Sequence, residues 1–322
     1  MVTVRKQHDM DTVEMRVAYC DTLIEAAQND PRIISLNCDM SSSCGTVPFA
    51  KAFPERSFNF GIQEACACSA AAGMSATGLI PFFHSFAVFS SRRIYDQIFI
   101  SCAYAGLNVK IIGCDSGVAA TYNGGTHMAF DDVGLLRGIP NITIIEPSDA
   151  VMMKSLVRQM AKTYGLFYMR TARKTVERIY EDGSEFEIGK AALLREGKDV
   201  TIIASGMTVI EALKAADMLA QQNIQARVVD MFTIKPIDAA CIQDCAAKTG
   251  AIVTVENHNI IGGLGSAVAE VLAGSIPVPL ERAGVNDEFG EVGQQDYLKE
   301  RFGMTSAAIC EKVKKALARK QS

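Results

Sequence analysis

Short apolar runs with the length of a β-strand recur along this chain, separated by polar loops and helical segments. Examples are RIISLN at 32–37, NVKIIG at 108–113, NITII at 141–145 and DVTIIA at 199–204. This alternation predicts an α/β fold built on largely parallel sheets with flanking helices. Ligands in such sheets bind beyond the carboxyl ends of the strands, so the polar residues that follow these runs are the first candidates for function.

The regular alternation breaks over residues 176–198, which are charged and rich in turn residues. We interpret this stretch as a linker with a short hairpin. Residues 1–175 then form one domain, and residues 199–322 form a second, smaller one. A chain of 322 residues is long enough for two domains, each with its own core.

Composition argues against several classes of function. The formal net charge is −4, which disfavours nucleic acid as a partner, and no apolar run approaches the roughly 20 residues that span a bilayer. The ten cysteines are scattered, with no histidines or further pairs at metal-binding spacing, and no secretory signal precedes them. We therefore expect a cytoplasmic protein with reduced thiols, no metal site of its own, and no nucleic-acid or membrane partner.

The stretch 59–89 combines a lone acidic residue, a series of small residues and an aromatic cluster. Glu64 is a single acidic residue at the head of a long series of Ala, Ser, Gly and Cys, and an aromatic cluster follows that includes Phe86 and Phe89. Small side chains on a helix let another helix approach closely. We interpret Glu64 as a buried, functional carboxylate beside an aromatic pocket, at the boundary between two subunits.

Three further polar residues lie at predicted strand ends. Asp39 follows the first strand, His127 lies beyond a Gly-Gly turn in the long loop 114–128, and Arg170 ends another strand. Each also has an ordinary structural interpretation: a helix or turn cap for Asp39, a structural hydrogen bond for His127, and a surface ion pair for Arg170. The residue types and their positions alone do not decide between the functional and the structural interpretation.

Several motifs in a fixed order resemble those of one enzyme family. Three of them are similar to the pyrimidine-binding domain of thiamine diphosphate enzymes, above all transketolase and 1-deoxyxylulose-5-phosphate synthase: FNFGIQE at 58–64, IPFFHSFAVF at 80–89 and GGTHMAFDDVGLLRGIPNITIIEPSD at 124–149. Two others resemble the transketolase C-terminal domain: SGMTVIEAL at 205–213 and VENHNIIGGLGSAV at 255–268. The resemblance covers nearly the whole chain. It implies a subunit of an enzyme that transfers a two-carbon ketol unit from a ketose donor to an aldose acceptor.

The resemblance also implies cofactor contacts. Glu64 would hydrogen-bond N1′ of the aminopyrimidine of thiamine diphosphate, and Phe86 and Phe89 would pack on the pyrimidine ring. Asp39 matches an aspartate near the cofactor. Ile62 is included among the candidate cofactor contacts, although a scaffold role is favoured for it.

Substrate contacts follow in the same way. His127 matches the family's substrate-contacting histidine and is, with Glu64, a candidate catalytic residue. Ser43 matches a serine, and Arg170 an arginine, that hold the phosphate of the sugar. The full set of candidate substrate contacts is Ser43, Arg92, Cys114, Asp115, Asn123, His127 and Arg170.

The chain departs from transketolase at several of these positions. Cys114 and Asp115 stand in the region where transketolases carry a histidine, and Asn123 begins NGGTH where they have Asp-Gly-Pro-Thr-His. Arg92 lies where the synthase has arginine and transketolase an aromatic residue. Because a phosphate-binding histidine is replaced and a carboxylate is added, we expect a modified sugar, for example one with a sulfonate end.

The motif that binds the diphosphate end of the cofactor does not occur in this sequence. The family uses Mg²⁺ and Gly-Asp-Gly for this purpose, whereas the only Asp-Gly pair here is Asp182-Gly183, in the linker. The resemblance therefore implies the C-terminal subunit of a split transketolase. A separate N-terminal subunit would hold most of the Mg²⁺ and diphosphate site, in an α2β2 assembly with the small-residue helix after Glu64 at the dimer interface.

Two alternatives also fit parts of this sequence. The β subunit of a 2-oxo acid dehydrogenase E1 component has the same layout and lacks the same motif, and IYDQI at 94–98 would suit it; the Thr-His pair at 126–127 favours transketolase. The second is a non-catalytic, transketolase-like scaffold subunit. The joint presence of Glu64, Phe86, Phe89 and His127 argues against it.

Overall fold

Twelve strands and ten α-helices are found in residues 2–321, the part of the chain that the computed structural model describes. The strands are β1 Ile33–Asn37, β2 Ser57–Asn59, β3 Ile80–Phe86, β4 Lys110–Cys114, β5 Thr143–Ile145, β6 Phe167–Thr171, β7 Ala192–Arg195, β8 Val200–Ala204, β9 Ala226–Asp230, β10 Thr233–Lys235, β11 Ile252–Asn259 and β12 Leu280–Val285. The helices are α1 Met15–Asn29, α2 Val47–Ala52, α3 Glu64–Ala76, α4 Asp132–Arg137, α5 Ala150–Lys162, α6 Val209–Ala220, α7 Ala239–Thr249, α8 Leu264–Ala273, α9 Gln295–Arg301 and α10 Ser306–Gln321. A π-helix, Gln97–Tyr104, precedes β4.

The strands form two sheets, each largely parallel. The first sheet has the order β10-β5-β6-β4-β3-β1-β2, in which β10 runs antiparallel to its neighbour. The second has the order β12-β11-β8-β9-β7, in which β7 is the antiparallel member. The predicted fold class, α/β with two largely parallel sheets flanked by helices, is confirmed.

Burial on both faces explains why the strands appear in the sequence as continuous apolar runs. All residues of β1, β4 and β8 are buried, as expected for a parallel sheet covered by helices on both sides. Aspartate caps begin two of the covering helices. Asp149 accepts a hydrogen bond from the Met152 amide at 2.9 Å, and Asp238 accepts one from the Cys241 amide at 3.0 Å.

The segment between the two sheets differs from the prediction. Residues 176–198 contain no hairpin, because β7 pairs antiparallel with β9 of the second sheet. Glu177 and Tyr180 instead bridge to Met10 and Val4 near the start of the chain. The predicted hairpin is wrong because the partners of this segment lie far from it in sequence.

A strand from the second half of the chain completes the first sheet. Thr233 on β10 pairs with Ile145 on β5. Lys235, at the end of β10, donates from Nζ to the carbonyl oxygens of Arg137 and Ile139 at 2.7 and 2.5 Å. Backbone pairing between strands therefore crosses the domain boundary predicted at residue 199. The domain limits themselves stay a prediction.

A buried charge network joins the two halves of the molecule at Arg170, on β6. Its guanidinium donates to Oδ2 of Asp132 at 2.9 Å, to Oε1 of Glu146 at 2.7 Å and to the carbonyl oxygen of Asn257 at 2.9 Å. The side chain is 1% exposed. This contradicts the predicted contact of Arg170 with a sugar phosphate, because the guanidinium already faces two carboxylates inside the protein.

We expect the R170M variant to be strongly destabilised. Methionine would leave Asp132 and Glu146 buried without their counter-charge, which typically costs about 3–5 kcal/mol of unfolding free energy. R158A is a matched control, since it breaks an ion pair with Glu25 whose side chains are 47% and 52% exposed, and pairs of this kind contribute below about 1 kcal/mol. Urea unfolding of both variants measures the difference, and equal losses would contradict the structural role of Arg170.

Candidate active site

The candidate site lies at the carboxyl edge of the first sheet. Strands β4, β3, β1 and β2 are neighbours and run parallel, so the segments that follow them meet at one edge. These segments supply Asp115, Phe89, Asp39 and Glu64, in that order. The sheet thus gathers residues from four separate parts of the chain.

Glu64 is a buried carboxylate that two side chains hold in place. It is the first residue of α3 and is 3% exposed. Its Oε1 accepts a hydrogen bond from the Ser85 hydroxyl at 3.2 Å, and its Oε2 accepts one from Nη1 of Arg93 at 2.8 Å. The N-terminus of a helix also favours a negative charge. These contacts offset the cost of removing a carboxylate from water.

Three rings lie together beside this carboxylate. The centroids of Phe86 and Phe89 are 6.3 Å apart, and the imidazole of His127 meets both rings edge-on at 5.8 and 5.4 Å. Thr126 lies within hydrogen-bond distance of the imidazole, with its hydroxyl 2.8 Å from Nδ1. The structure therefore brings together Phe86 and Phe89, which the sequence shows as one aromatic cluster, and His127, which the family resemblance alone had linked to them.

Arg93 belongs to this site, although it is not among the residues predicted from the sequence. Its guanidinium carbon lies 3.7 Å from the centroid of the Phe89 ring, and the same guanidinium donates to Glu64. The sequence offered no periodic signal for this contact, because Phe89 lies in a turn and Arg93 in the short 3₁₀ helix Arg92–Ile94 that follows it. Ser85, the second donor to Glu64, was also missed, since alternation along β3 does not show which strand residue meets a distant carboxylate.

A second group of charges lies beyond β4 and β6. Asp115 is 1% exposed, and its carboxylate forms an ion pair with Nη2 of Arg173 at 3.1 Å. Burial raises the pKa of the Asp115 carboxyl to about 6, while Arg173 and Arg16 act in the opposite direction. Cys114 is buried next to Asp115, and the carbonyl oxygen of Ser43 accepts a hydrogen bond from Arg16 at 3.4 Å.

The other predicted site residues are more exposed. Asp39 is exposed and has a left-handed backbone conformation, with φ of 60°. Ile62 is 72% exposed, and Asn123 is also exposed. Arg92 forms an ion pair with Asp131 at 3.6 Å, and both line a crevice of about 200 Å³ between the two halves of the molecule. The predicted cofactor and substrate roles of these residues stay predictions.

The described residues offer neither a metal cluster nor a membrane span. Within residues 2–321, no group of three or more His, Cys, Asp or Glu side chains is arranged to hold a metal ion. Over the same part of the chain, no helix is both long and apolar enough to cross a membrane. All ten cysteines are free, and eight of them are buried.

Comparison with known proteins identifies the family. The sequence profile of the transketolase pyrimidine-binding domain matches residues 11–178, and that of the transketolase C-terminal domain matches residues 189–309. The two domains that these profiles describe, each built here on a largely parallel sheet, are those of the thiamine diphosphate-dependent class of enzymes. The chain belongs to the transketolase family.

Individual relatives agree with this assignment. The 6-deoxy-6-sulfo-D-fructose transketolase subunit SqwH of Clostridium sp. strain MSTE9 is 48% identical over 92% of each chain. A subunit of the apulose-4-phosphate transketolase of Phocaeicola vulgatus is 38% identical over 92% of this chain and 96% of its own. A solved structure described as a split gene transketolase, inactive beta4 tetramer, has a TM-score of 0.88 at 43% identity and covers 96% of this chain and 100% of its own. The resemblance found in the motifs is confirmed, and the dehydrogenase alternative is not favoured.

The pKa of Asp115 leads to a prediction about stability. Because the folded protein binds this proton more tightly than the unfolded chain does, the stability that Asp115 contributes is lost as pH rises from about 4 through about 6. D115N removes the titration, and asparagine suits the left-handed backbone there, with φ of 54°. From pH 4 to pH 8, the unfolding free energy of D115N should therefore rise by roughly 2 kcal/mol relative to that of wild type.

Urea unfolding across this pH range measures the shift. D30N is a matched control: Arg32 holds the pKa of Asp30 below its usual value of 3.8, so the stability from Asp30 is lost mainly below pH 4, and D30N should follow wild type between pH 4 and pH 8. Identical pH profiles for D115N and wild type would contradict the raised pKa of Asp115.

Proposed function

We propose that this chain is the C-terminal subunit of a split transketolase that depends on thiamine diphosphate. With a separate N-terminal subunit, it transfers a two-carbon ketol unit from a ketose donor to an aldose acceptor. The observation that carries the proposal is the buried carboxylate of Glu64, in the same site as the rings of Phe86, Phe89 and His127. The likeness to chains named as transketolase subunits supports it.

The site fits the aminopyrimidine end of the cofactor. A flat cation already lies on the face of Phe89 and donates to Glu64, because the Arg93 guanidinium makes both contacts. A flat ring with an N–H at its edge needs the same two partners, an aromatic face and a carboxylate acceptor. Glu64, Phe86 and Phe89 are therefore the residues that would hold the pyrimidine, and Asp39 and Ile62 are proposed as its further neighbours.

The residues of this chain divide the catalytic work in a simple way. When bound, thiamine diphosphate supplies the nucleophilic carbon and the electron sink for breaking a carbon–carbon bond next to a carbonyl. Glu64 would hold a proton at N1′ of the pyrimidine, and its burial would strengthen that hydrogen bond. Ser85 keeps the carboxylate in one orientation. His127, fixed against both phenyl rings, is placed to exchange a hydrogen bond or a proton with the oxygen atoms of the sugar.

We assign the Mg²⁺ and diphosphate site mainly to the N-terminal subunit. The family's Gly-Asp-Gly motif for this site does not occur in this sequence, whose Asp182-Gly183 pair lies in the linker. Asp182 there forms an ion pair with Arg178 at 2.9 Å. The cofactor would thus be shared, with its pyrimidine on this chain and its diphosphate on the partner.

The proposed assembly contains two copies of each subunit. One face of α3 packs against the first sheet, while Cys66, Ser69 and Gly73 on another face are exposed. Small side chains there allow another helix to approach closely. Ile62, just before α3, and Tyr104, on the neighbouring π-helix, are also exposed, at 72% and 85%. These residues are proposed as part of the subunit interface.

The proposed donor is a sugar with a sulfonate end. Arg173 and Arg16 bring positive charge to the edge beyond β4 and β6, but the buried carboxylate of Asp115 offsets part of it. A phosphate group carries about −1.5 to −2 charges at pH 7, whereas a sulfonate carries a single one, so this charge balance suits the sulfonate better. By its name, the SqwH relative acts on 6-deoxy-6-sulfo-D-fructose. The other proposed substrate contacts are Ser43, Arg92, Cys114 and Asn123.

We also propose that the enzyme works in the cytoplasm. Its ten cysteines are free, which is typical of proteins in a reducing compartment. Buried thiols of this kind behave as small apolar side chains that fill the core. The substrates and the partner subunit are expected in the same compartment, with neither nucleic acid nor a membrane involved.

The donor can be tested in a matched panel. Co-expressed with an N-terminal subunit that carries the Gly-Asp-Gly motif, this chain should show ketol transfer, and alone it should show none. We expect kcat/KM for 6-deoxy-6-sulfofructose to exceed that for fructose 6-phosphate by about tenfold or more, and D115N should narrow the difference. A phosphoketose as the best donor would exclude the sulfonate proposal. Strong activity of the lone chain would exclude the split enzyme.

The role of Glu64 can be tested in the same complex. E64Q keeps the size of the side chain but cannot hold the proton at N1′, so turnover should fall by about 10²–10⁴-fold. E55Q alters an exposed glutamate elsewhere on the first domain, which forms an ion pair with Arg56, and should leave turnover unchanged. Steady-state kinetics with the best donor of the panel measures both variants. Unchanged turnover in E64Q would support a non-catalytic scaffold subunit.

A further inference from the structure

Arg93 occupies the place that the proposed function gives to the pyrimidine ring. Its guanidinium lies on the face of Phe89, with 3.7 Å from the guanidinium carbon to the ring centroid. Its Nη1 donates to Oε2 of Glu64 at 2.8 Å. These are the two contacts, stacking and a hydrogen bond to the carboxylate, that would hold the cofactor ring.

The neighbouring arginine does not share this placement. Arg92 turns to a different partner and forms an ion pair with Asp131 at 3.6 Å. The Arg93 side chain is 42% exposed, whereas Glu64 is 3% exposed, so the cation reaches the buried carboxylate from the solvent side.

We propose that Arg93 is an internal occupant of the pyrimidine site. It compensates the charge of Glu64 while the cofactor is absent, and it has to swing away before the cofactor ring can bind. The inference rests on the proposed function. The Arg93 guanidinium and the cofactor ring cannot bind together, because both need the same face of Phe89 and the same oxygen of Glu64.

The charges of the site explain why such an occupant is useful. A buried carboxylate without a counter-charge is costly, and the subunit has to remain folded before its partner and the cofactor arrive. Arg93 removes that cost, because a guanidinium both stacks on aromatic rings and pairs with carboxylates. The consequence is weaker apparent binding of the cofactor, since the measured dissociation constant rises as the fraction of open sites falls.

The test is the affinity of the assembled two-subunit complex for thiamine diphosphate with Mg²⁺, measured by isothermal titration calorimetry. R93A should bind the cofactor roughly five- to thirtyfold more tightly than wild type, because it loses a half-exposed ion pair and a cation–π contact that compete with binding. R93K keeps the charge but not the flat stack, so its affinity should lie between the two. In R93A the cofactor should also raise the melting temperature by more than it does in wild type.

R56A is a matched control for the loss of a stacked arginine. The Arg56 guanidinium lies 3.8 Å from the centroid of the Phe53 ring, and its Nε is 3.5 Å from Oε1 of Glu55, away from the site. This variant should leave the dissociation constant of the cofactor unchanged.

Three outcomes would overturn the inference. Equal or weaker cofactor binding by R93A, with wild type binding normally, would exclude Arg93 as a competitor while leaving the proposed function intact. If R93A does not fold, R93K decides alone, and affinity equal to that of wild type would count against the inference. If the wild-type complex binds no thiamine diphosphate, both the proposed function and the inference fail.

Discussion

The buried guanidinium of Arg170 is the point on which the arrangement of the two sheets depends. It connects β6 and the start of α4 in the first half of the molecule to the backbone of β11 in the second, through Asp132 and the carbonyl oxygen of Asn257. Glu146, its other partner, also accepts a hydrogen bond from Ser205 beyond β8 at 2.7 Å. Strands of both sheets thus end at one set of charges, which can be buried only because each charge is paired.

This network also supports the loop that carries His127. The side-chain oxygen of Asn257 accepts a hydrogen bond from the Val118 amide, and its side-chain nitrogen donates to the carbonyl oxygen of Ser116, both at 2.9 Å. The second half of the molecule therefore holds the start of a loop whose far end reaches the phenyl rings of the site. The second half of the molecule thus contributes to the active site by positioning this loop. This contribution depends on the interface between the two sheets.

Local patterns predicted the fold class, and motif resemblance predicted the centre of the site. Parallel strands buried on both faces leave apolar runs that are visible in the sequence. The grouping of Glu64, Phe86, Phe89 and His127 came instead from the resemblance of the motifs to one enzyme family. Arg170 could not be assigned in this way, because an arginine at a strand end looks the same whether it faces a ligand or internal carboxylates. Asp132 and Glu146 lie 38 and 24 residues from it in sequence. The contact of Arg93 with Glu64, 29 residues apart, and the pairing of β7 with β9 were hidden for the same reason.

The antiparallel strand Thr233–Lys235 affects how the chain folds as it is made. The six other strands of the first sheet are complete once residue 171 has been synthesised, yet the edge at β5 stays unpaired until β10 emerges, roughly 60 residues later. At synthesis rates of about 5–20 residues per second, this delay lasts roughly 3–12 seconds. An unpaired edge can pair with a strand of another chain, so this interval is when two nascent copies are most prone to associate incorrectly. The edge of the first sheet at β5 is thus covered only after synthesis of the second domain has begun.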